Sequence, residues 1–418
     1  MPRPTPDSAL NETRLLGLAH EYGCPVWVYD ADTIRRQIAR LRQFDVVRFA
    51  QKACSNIHIL RLMREQGVKV DSVSLGEIER ALAAGFDPAT RPDDIVFTAD
   101  LIDAPTLARV RELAIPVNAG SIDMLAQLGE VSPGHRVWLR VNPGFGHGHS
   151  QKTNTGGENS KHGIWHSDLP AAFATMQRYQ LKLAGIHMHI GSGVDYGHLE
   201  QVCGAMVRQV LESGQDLEAI SAGGGLSIPY RDGEEDIDTG HYYGLWNAAR
   251  EKIAAHLGHP VKLEIEPGRF LVAESGVLVA QVRSVKGMGS RHFVLVDAGF
   301  NDLMRPAMYG SYHHITAIGA DGRSLAEAPV VESVIAGPLC ESGDVFTQQE
   351  GGKVETRALP AVAPGDYLVF HDTGAYGASM SSNYNSRPLL PEVLVEGETA
   401  RLIRRRQTIS ELLALELL

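Results

Sequence analysis

The chain predicts an α/β fold, a (β/α)8 TIM-like barrel joined to a C-terminal all-β domain of Greek-key or β-sandwich type. Three observations carry this expectation. Between Val46 and Gly268, eight short β-type runs end in Gly, Ser, Asn, Pro or another polar residue. Most of them are separated by stretches of helical periodicity, and such alternation implies parallel strands with right-handed crossovers. After Gly268 the helical stretches stop and strand-like runs follow one another.

In order, the barrel runs are VVRFAQK (46-52), VKVDSVS (68-74), DIVFTA (94-99), IPVNAG (115-120), RVWLRVNP (136-143), LAGIHMHIG (183-191), AISAGGG (219-225) and VKLEIEPG (261-268). NIHILRLMREQ, LGEIERALAAG and the segment from His198 to Gly214 place apolar residues three and four apart, as helices on a barrel's outer wall do. VLVAQVRSV, HFVLVDAG, PVVESVIAG, DYLVFHD and PEVLVEG read as the strands of the second domain. Residues 31–275 are therefore assigned to the barrel, and residues 1–30 with 276–418 to the β domain. The early run VWVYD (26-30) is expected to cross over and pair with the C-terminal sheet. The polar, glycine-rich segment 142–163 is long for a compact domain and reads as a flap over the barrel mouth.

Composition sets the class. Of 418 residues, 44% are hydrophobic and 21% charged, which fits a globular enzyme of two domains. Lys and Arg number 39 against 50 Asp and Glu, a net charge of −11. That balance argues against nonspecific nucleic-acid or anionic-membrane binding and mildly favours a basic substrate. The N-terminal MPRPTPDSALNETRLLG has no apolar core, and no later run reaches the about eighteen apolar residues of a membrane span, so the expected compartment is the cytoplasm. Cys24, Cys54, Cys203 and Cys340 form no CxxC pair and suggest neither a disulfide framework nor a zinc ribbon.

Barrel enzymes carry their working groups at the carboxyl ends of the strands. Here the first run ends in Lys52, the sixth in His189, Gly191 and Ser192, the seventh in Gly223, Gly224 and Gly225, and the eighth in Glu266, Pro267, Gly268 and Arg269. A lysine closing an apolar strand is either salt-bridged or chemically employed. Three successive glycines either make a turn or let the backbone present N–H groups to a phosphate, with Ser192 closing the same cradle. Glu266 can hold a proton on a heterocyclic nitrogen, Arg269 can pair with phosphate or carboxylate, and His189 can stack on a flat ring. A Schiff-base lysine, a phosphate cradle, an acid for a pyridine nitrogen and a stacking ring are the parts that pyridoxal 5'-phosphate requires. A metal site of His187, His189, Glu264 and Glu266 competes with this reading, but leaves Lys52 and the glycines without a role.

FAQKACSN around Lys52, HMHIGSG (187-193), GGGLS (223-227), EPGRF (266-270), RPAMYG (305-310), GPLCESGD (337-344) and GAYGASMSSNYNSRP (374-388) extend the pattern. In these motifs the chain resembles the fold-type III pyridoxal-phosphate decarboxylases, with their alanine racemase-like barrel, and within them the bacterial diaminopimelate decarboxylases. The resemblance implies that Lys52 forms the Schiff base, His189 stacks on the cofactor ring, the glycine triplet binds phosphate and Glu266 meets the pyridine nitrogen. It further implies phosphate-side or substrate contacts for Arg269 and Tyr376, substrate-carboxylate contacts for Arg305 and Tyr309, and recognition of the distal ammonium by Glu341. Cys340 would be the general acid that reprotonates the substrate carbon. In the family the GPxCES motif is contributed across a dimer interface, so a homodimer with shared active sites is implied. The implied reaction is decarboxylation of meso-2,6-diaminopimelate to L-lysine, with ornithine, arginine or a carboxylated polyamine as the alternative substrate. Phe49 and Cys54 depart from the commoner Tyr and Asn of the first motif.

Overall fold

The computed structural model describes residues 10–146, 155–189, 191, 193 and 195–417. The chain divides into two compact units, one of residues 37–227 and 237–271, the other of residues up to 36, 228–236 and 272–418.

In the first unit eight parallel strands close a barrel: Val46–Ala50, Lys69–Ser72, Ile95–Ala99, Val117–Ala119, Arg136–Asn142, Lys182–His187, Ala219–Ser221 and Lys262–Ile265. Pairing of Glu264 with Val46 and of Ile265 with Val47 joins the eighth strand to the first. The helices between the strands begin where the sequence supplies a capping side chain. Asn56, Ser74, Asp103, Ser121, Asp195 and Asp238 each accept a hydrogen bond from a first-turn backbone N–H. Such a cap stabilises a helix by about 1 kcal/mol. The buried face of Ile57–Glu65, with Ile59, Leu60, Leu62 and Met63, has the three-and-four spacing that its sequence predicts.

Several strands stop short of the runs read from sequence. The first ends at Ala50 and passes into a 3-10 turn at Gln51–Ala53, and the sixth, seventh and eighth end at His187, Ser221 and Ile265. Backbone chemistry explains the last two. Gly223 and Gly225 adopt φ values of +62° and +105°, outside the strand region, and Pro267 has no N–H to give a ladder. Lys52, His189, the glycines and Glu266 consequently lie on the loops just beyond the strands.

Inside, the barrel is polar. Arg48, Asp71, Thr98, Asn118, Arg140, His187, Ser221, Glu264 and Glu266 are all buried. Buried charge requires partners, and Arg48 Nη2 meets Glu264 Oε2 at 2.9 Å. The first and eighth strands are thus tied by an ion pair as well as by their ladder.

The second unit is a mixed sheet. Its strands run in the order Arg357–Pro360, Val330–Ala336, Arg291–Val296, Gly276–Met288, Val26–Asp30, Glu392–Glu396 and Thr399–Arg404. The long strand Gly276–Met288 serves two groups of neighbours. Its first half pairs with Val26–Asp30 and Tyr367–Phe370, and after an irregularity at Val282/Ser284 its second half pairs with Arg291–Val296. The early strand Val26–Asp30 does cross over, lying antiparallel to Gly276–Met288 and parallel to Glu392–Glu396. The core of this unit packs Leu15 and Leu18 of helix Glu12–Tyr22 against Val28, Val279, Val369 and Val393. Among the described residues no helix is long and apolar enough to cross a membrane.

Candidate active site

Of the residues expected to hold a cofactor, Lys52, His189, Gly223, Gly224, Gly225 and Glu266 lie on the loops at the carboxyl end of the barrel. Lys52 sits exposed on the 3-10 turn after the first strand, near enough for its ammonium to lower the pKa values of Asp71 and Glu77 against the effect of their burial. Buried Gln51 beside it donates from Nε2 to Ser72 Oγ at 2.6 Å, which anchors the turn to the second strand.

His189 follows the sixth strand. Its Nδ1 accepts from the Gly224 N–H at 3.2 Å, so the ring hydrogen, when the ring is neutral, is on Nε2. Burial, reinforced by Arg140 and Lys52, holds its pKa well below the usual histidine value, so the ring is neutral at physiological pH.

The glycine triplet is a close-packed cradle. A Cβ on Gly223 would stand 2.5 Å from the Met188 carbonyl oxygen, one on Gly224 2.7 Å from that of Glu266, and one on Gly225 2.6 Å from that of Gly191. Only glycine fits at these three positions. Two of the triplet's N–H groups are already engaged, Gly223 with Ser221 Oγ at 3.1 Å and Gly224 with His189. Beside Gly224 and Gly225 lies a small recess, bordered also by Gly191, Gly193, Asp195 and His198. Ser192, expected to close the cradle, lies outside the described residues.

Glu266 is held through both of its carboxylate oxygens. Its Oε2 lies 2.8 Å from His187 Nε2, and its Oε1 accepts from Ser221 Oγ at 3.2 Å. Burial alone would raise its pKa, but the pairing with His187, together with the charge of Arg48, outweighs burial and lowers it to about 2. Glu266 is therefore an anion at neutral pH. Asp71, also buried, goes the other way: burial and the charge of Glu266 push it up to about 8. At neutral pH Glu266 is thus ionised and Asp71 protonated. Pro267 accepts the Ala50 N–H at 3.2 Å through its carbonyl, Gly268 follows, and Arg269 opens the short helix Arg269–Val272.

Part of the expected flap is fixed in place. Asn142 donates from Nδ2 to the carbonyls of Gly157 and His162 at 3.1 and 3.2 Å, and Thr155 Oγ1 donates to the His189 carbonyl at 2.9 Å. Residues 147–154 of this segment lie outside the described residues.

The remaining expected residues belong to the second unit. Arg305 and Tyr309 are the first and last residues of helix Arg305–Tyr309, one turn apart. Cys340 and Glu341 are exposed on a loop that the Asp344 carboxylate pins, accepting from the Leu339 and Phe300 N–H groups at 2.8 and 2.7 Å. The Cys340 N–H donates to Asn385 Oδ1 at 2.9 Å. Tyr376 has a φ of +57° and Asn385 one of +53°, conformations that non-glycine residues adopt at a cost and that concentrate at working sites.

Sequence reasoning gave no role in holding the site to Ser221, Asp71, Tyr230 or His313, and considered His187 only as a metal ligand. Geometry assigns His187 to Glu266, and gives Glu264 to Arg48. The one legible signal was the HMH pair, whose first histidine ends the strand and whose second leaves it.

Residues 31–273 match the family described as pyridoxal-dependent decarboxylase, pyridoxal binding domain. The chain is 82% identical over 412 residues to the diaminopimelate decarboxylase of Escherichia coli (strain K12), spanning 99% of this chain and 98% of the relative. A crystal structure of a diaminopimelate decarboxylase, also 82% identical, superposes with a TM-score of 0.97 and covers 99% of this chain and 98% of its own. The diaminopimelate decarboxylase of Helicobacter pylori, solved in complex with L-lysine, is similar at 31% identity with a TM-score of 0.82, covering 96% of this chain and 98% of that one.

Proposed function

The chain belongs to the diaminopimelate decarboxylases, a branch of the pyridoxal-dependent decarboxylases, and we propose that the residues gathered above divide that family's chemistry among them. The enzyme uses pyridoxal 5'-phosphate to convert meso-2,6-diaminopimelate to L-lysine and carbon dioxide. The observation that carries the assignment of residues is the grouping of Lys52, the glycine cradle, a neutral His189 and an ionised Glu266 at one end of the barrel. These groups fit the cofactor: the cradle admits no side chain, and the carboxylate is charged where a pyridine nitrogen needs a partner.

When bound, pyridoxal phosphate supplies an electron sink for the pair released as the carbon–carboxylate bond breaks. Lys52 holds it covalently through its amine. The loop of Gly223, Gly224 and Gly225, with Ser192, receives the phosphate, and Arg269 and Tyr376 serve its phosphate side and the substrate. His189 stacks its uncharged ring on the heterocycle, and Glu266 keeps the proton on the pyridine nitrogen. Arg305 and Tyr309 hold a substrate carboxylate, and Glu341 takes the distal ammonium. After carbon dioxide leaves, the Cys340 thiol delivers a proton to the carbon that carried it. The carboxylate lost is the one on the D-configured centre, so the remaining centre is that of L-lysine.

The working form is a cytoplasmic homodimer in which Cys340 and Glu341 serve the partner's site, and their exposure on the single chain supports this. The direct experiment incubates the purified holoenzyme with meso-diaminopimelate, ornithine or arginine and follows carbon dioxide and the amine product. Lysine formed from diaminopimelate alone, and not by Lys52→Ala, is the expected result. Release from ornithine or arginine instead would overturn the roles of Arg305 and Glu341. Mixing Lys52→Ala with Cys340→Ala subunits tests the shared site: activity that neither variant has alone is expected, and its absence would place both residues in one subunit's site.

A further inference from the structure

We infer that His187 is a positioning residue for Glu266, fixing in place the carboxylate that would meet the cofactor's pyridine nitrogen; the inference rests on the reading of Glu266 given above. His187 is the last residue of the sixth strand and is 1% exposed. A carboxylate only accepts hydrogen bonds, so the 2.8 Å contact to Glu266 Oε2 fixes Nε2 as the donor.

The grip has a second arm. Ser221 is the register partner of His187 on the seventh strand, and the two donors therefore stand side by side. Ser221 Oγ accepts from the Gly223 N–H at 3.1 Å, which leaves its own hydrogen for Glu266 Oε1 at 3.2 Å. The Glu266 N–H meanwhile donates to the Gly223 carbonyl at 2.8 Å. The carboxylate and the glycine cradle are thus one hydrogen-bonded unit, spanning the ends of three adjacent strands. Each oxygen of Glu266 has a separate donor, so the plane of the carboxylate is set before any ligand arrives. Nδ1 of His187 is buried and has no hydrogen-bond partner among the described residues, so the contact with Glu266 is the imidazole's one polar engagement there.

The test uses holoenzyme carrying pyridoxal phosphate isotopically labelled at the ring nitrogen, whose magnetic resonance shift reads protonation at that atom. His187→Phe is expected to move the ring-nitrogen signal toward its unprotonated position and to lower kcat about tenfold, with KM changed less than about twofold. His187→Gln, which keeps an N–H donor, should recover most of both. If His187→Phe leaves the signal in place while Glu266→Gln moves it, the inference falls and the reading of Glu266 stands. If Glu266→Gln also leaves it in place, both fall together. Should His187→Phe fail to bind the cofactor, His187→Asn, whose amide is too short to reach Oε2, takes its place and is read the same way.

Discussion

Arg305 Nη1 donates to His313 Nε2 across 3.0 Å, and His313 donates from Nδ1 to the His371 carbonyl at 2.9 Å. The directions are forced, because a guanidinium only donates and a carbonyl only accepts. Tyr230 adds a second hold, its hydroxyl accepting from Nη1 at 3.3 Å and its ring centre lying 5.0 Å from the guanidinium carbon. An arginine that meets a substrate carboxylate gains from being oriented beforehand. His313→Leu should therefore raise KM for meso-diaminopimelate about tenfold, the worth of one hydrogen bond to a charged group, with a smaller change in kcat. His313→Gln should be milder. Steady-state kinetics checks this, and an unchanged KM would mean that Arg305 is oriented without His313.

The buried pair of Arg48 and Glu264 calls for a stability measurement. Their side chains are 2% and 7% exposed, so removal of one partner strands a charge away from water. Glu264→Ala should cost about 3–5 kcal/mol, whereas Arg48→Met combined with Glu264→Leu should cost less than that single change. Urea unfolding of the three proteins decides it. A double variant less stable than Glu264→Ala would contradict the argument.

The glycine cradle predicts a sharp contrast between two small substitutions. Gly225 has a φ of +105° and a would-be Cβ 2.6 Å from the Gly191 carbonyl oxygen, while Gly204 has nothing within 4 Å of its would-be Cβ. Gly225→Ala should weaken cofactor binding about tenfold or more, since the backbone must shift by an amount that positioned contacts do not tolerate. Gly204→Ala, in helix Tyr196–Ser213, should bind as the unaltered enzyme does. Titration of the apoenzyme with pyridoxal phosphate measures both, and equal affinities would show that the cradle can relax.

Cys340 tests the protonation step. Its exposure and the backbone hydrogen bond to Asn385 place the thiol on a fixed loop without burying it. Cys340→Ala should lower kcat about a hundredfold, the scale of a lost general acid, and leave the bound cofactor and its spectrum unchanged. Full turnover with clean lysine formation would remove the cysteine from the reaction.

Much of this was legible in the sequence, for identifiable reasons. Strand and helix alternation, apolar residues three and four apart, and glycines in a row are local signals, and they located the barrel and its working loops. The return of Val26–Asp30 to the second unit was also readable, because a strand that precedes the barrel must pair somewhere. The partners of each working residue were not. Ser221 and His187 meet Glu266 from neighbouring strands through barrel register, and 45 and 79 residues separate them in the chain. Likewise, no local pattern announces that segment 228–236 joins the β unit and brings Tyr230 to Arg305.

Asp71 supplies a pH prediction whose sign follows from linkage. Burial and the neighbouring Glu266 charge raise its pKa from 3.8 to about 8, against the opposing hydrogen bond from Thr98 and the charge of Lys52. A carboxyl with a raised folded-state pKa binds its proton more tightly folded than unfolded. The stability it contributes is full below 3.8 and is lost as pH rises through about 8. Glu266 has the opposite sense: its value falls from 4.5 to about 2, so its contribution is present above 4.5 and is lost as pH falls through about 2. Asp71→Asn retains Glu266, and the difference between the variant and the unaltered protein therefore isolates Asp71. Thermal unfolding midpoints should show the Asp71→Asn variant gaining on the unaltered protein as pH is raised from about 4 to about 8, with no further gain above that. A difference that stays constant across the range would mean that Asp71 ionises in the folded barrel as readily as in the unfolded chain, and that the barrel tolerates two adjacent negative charges.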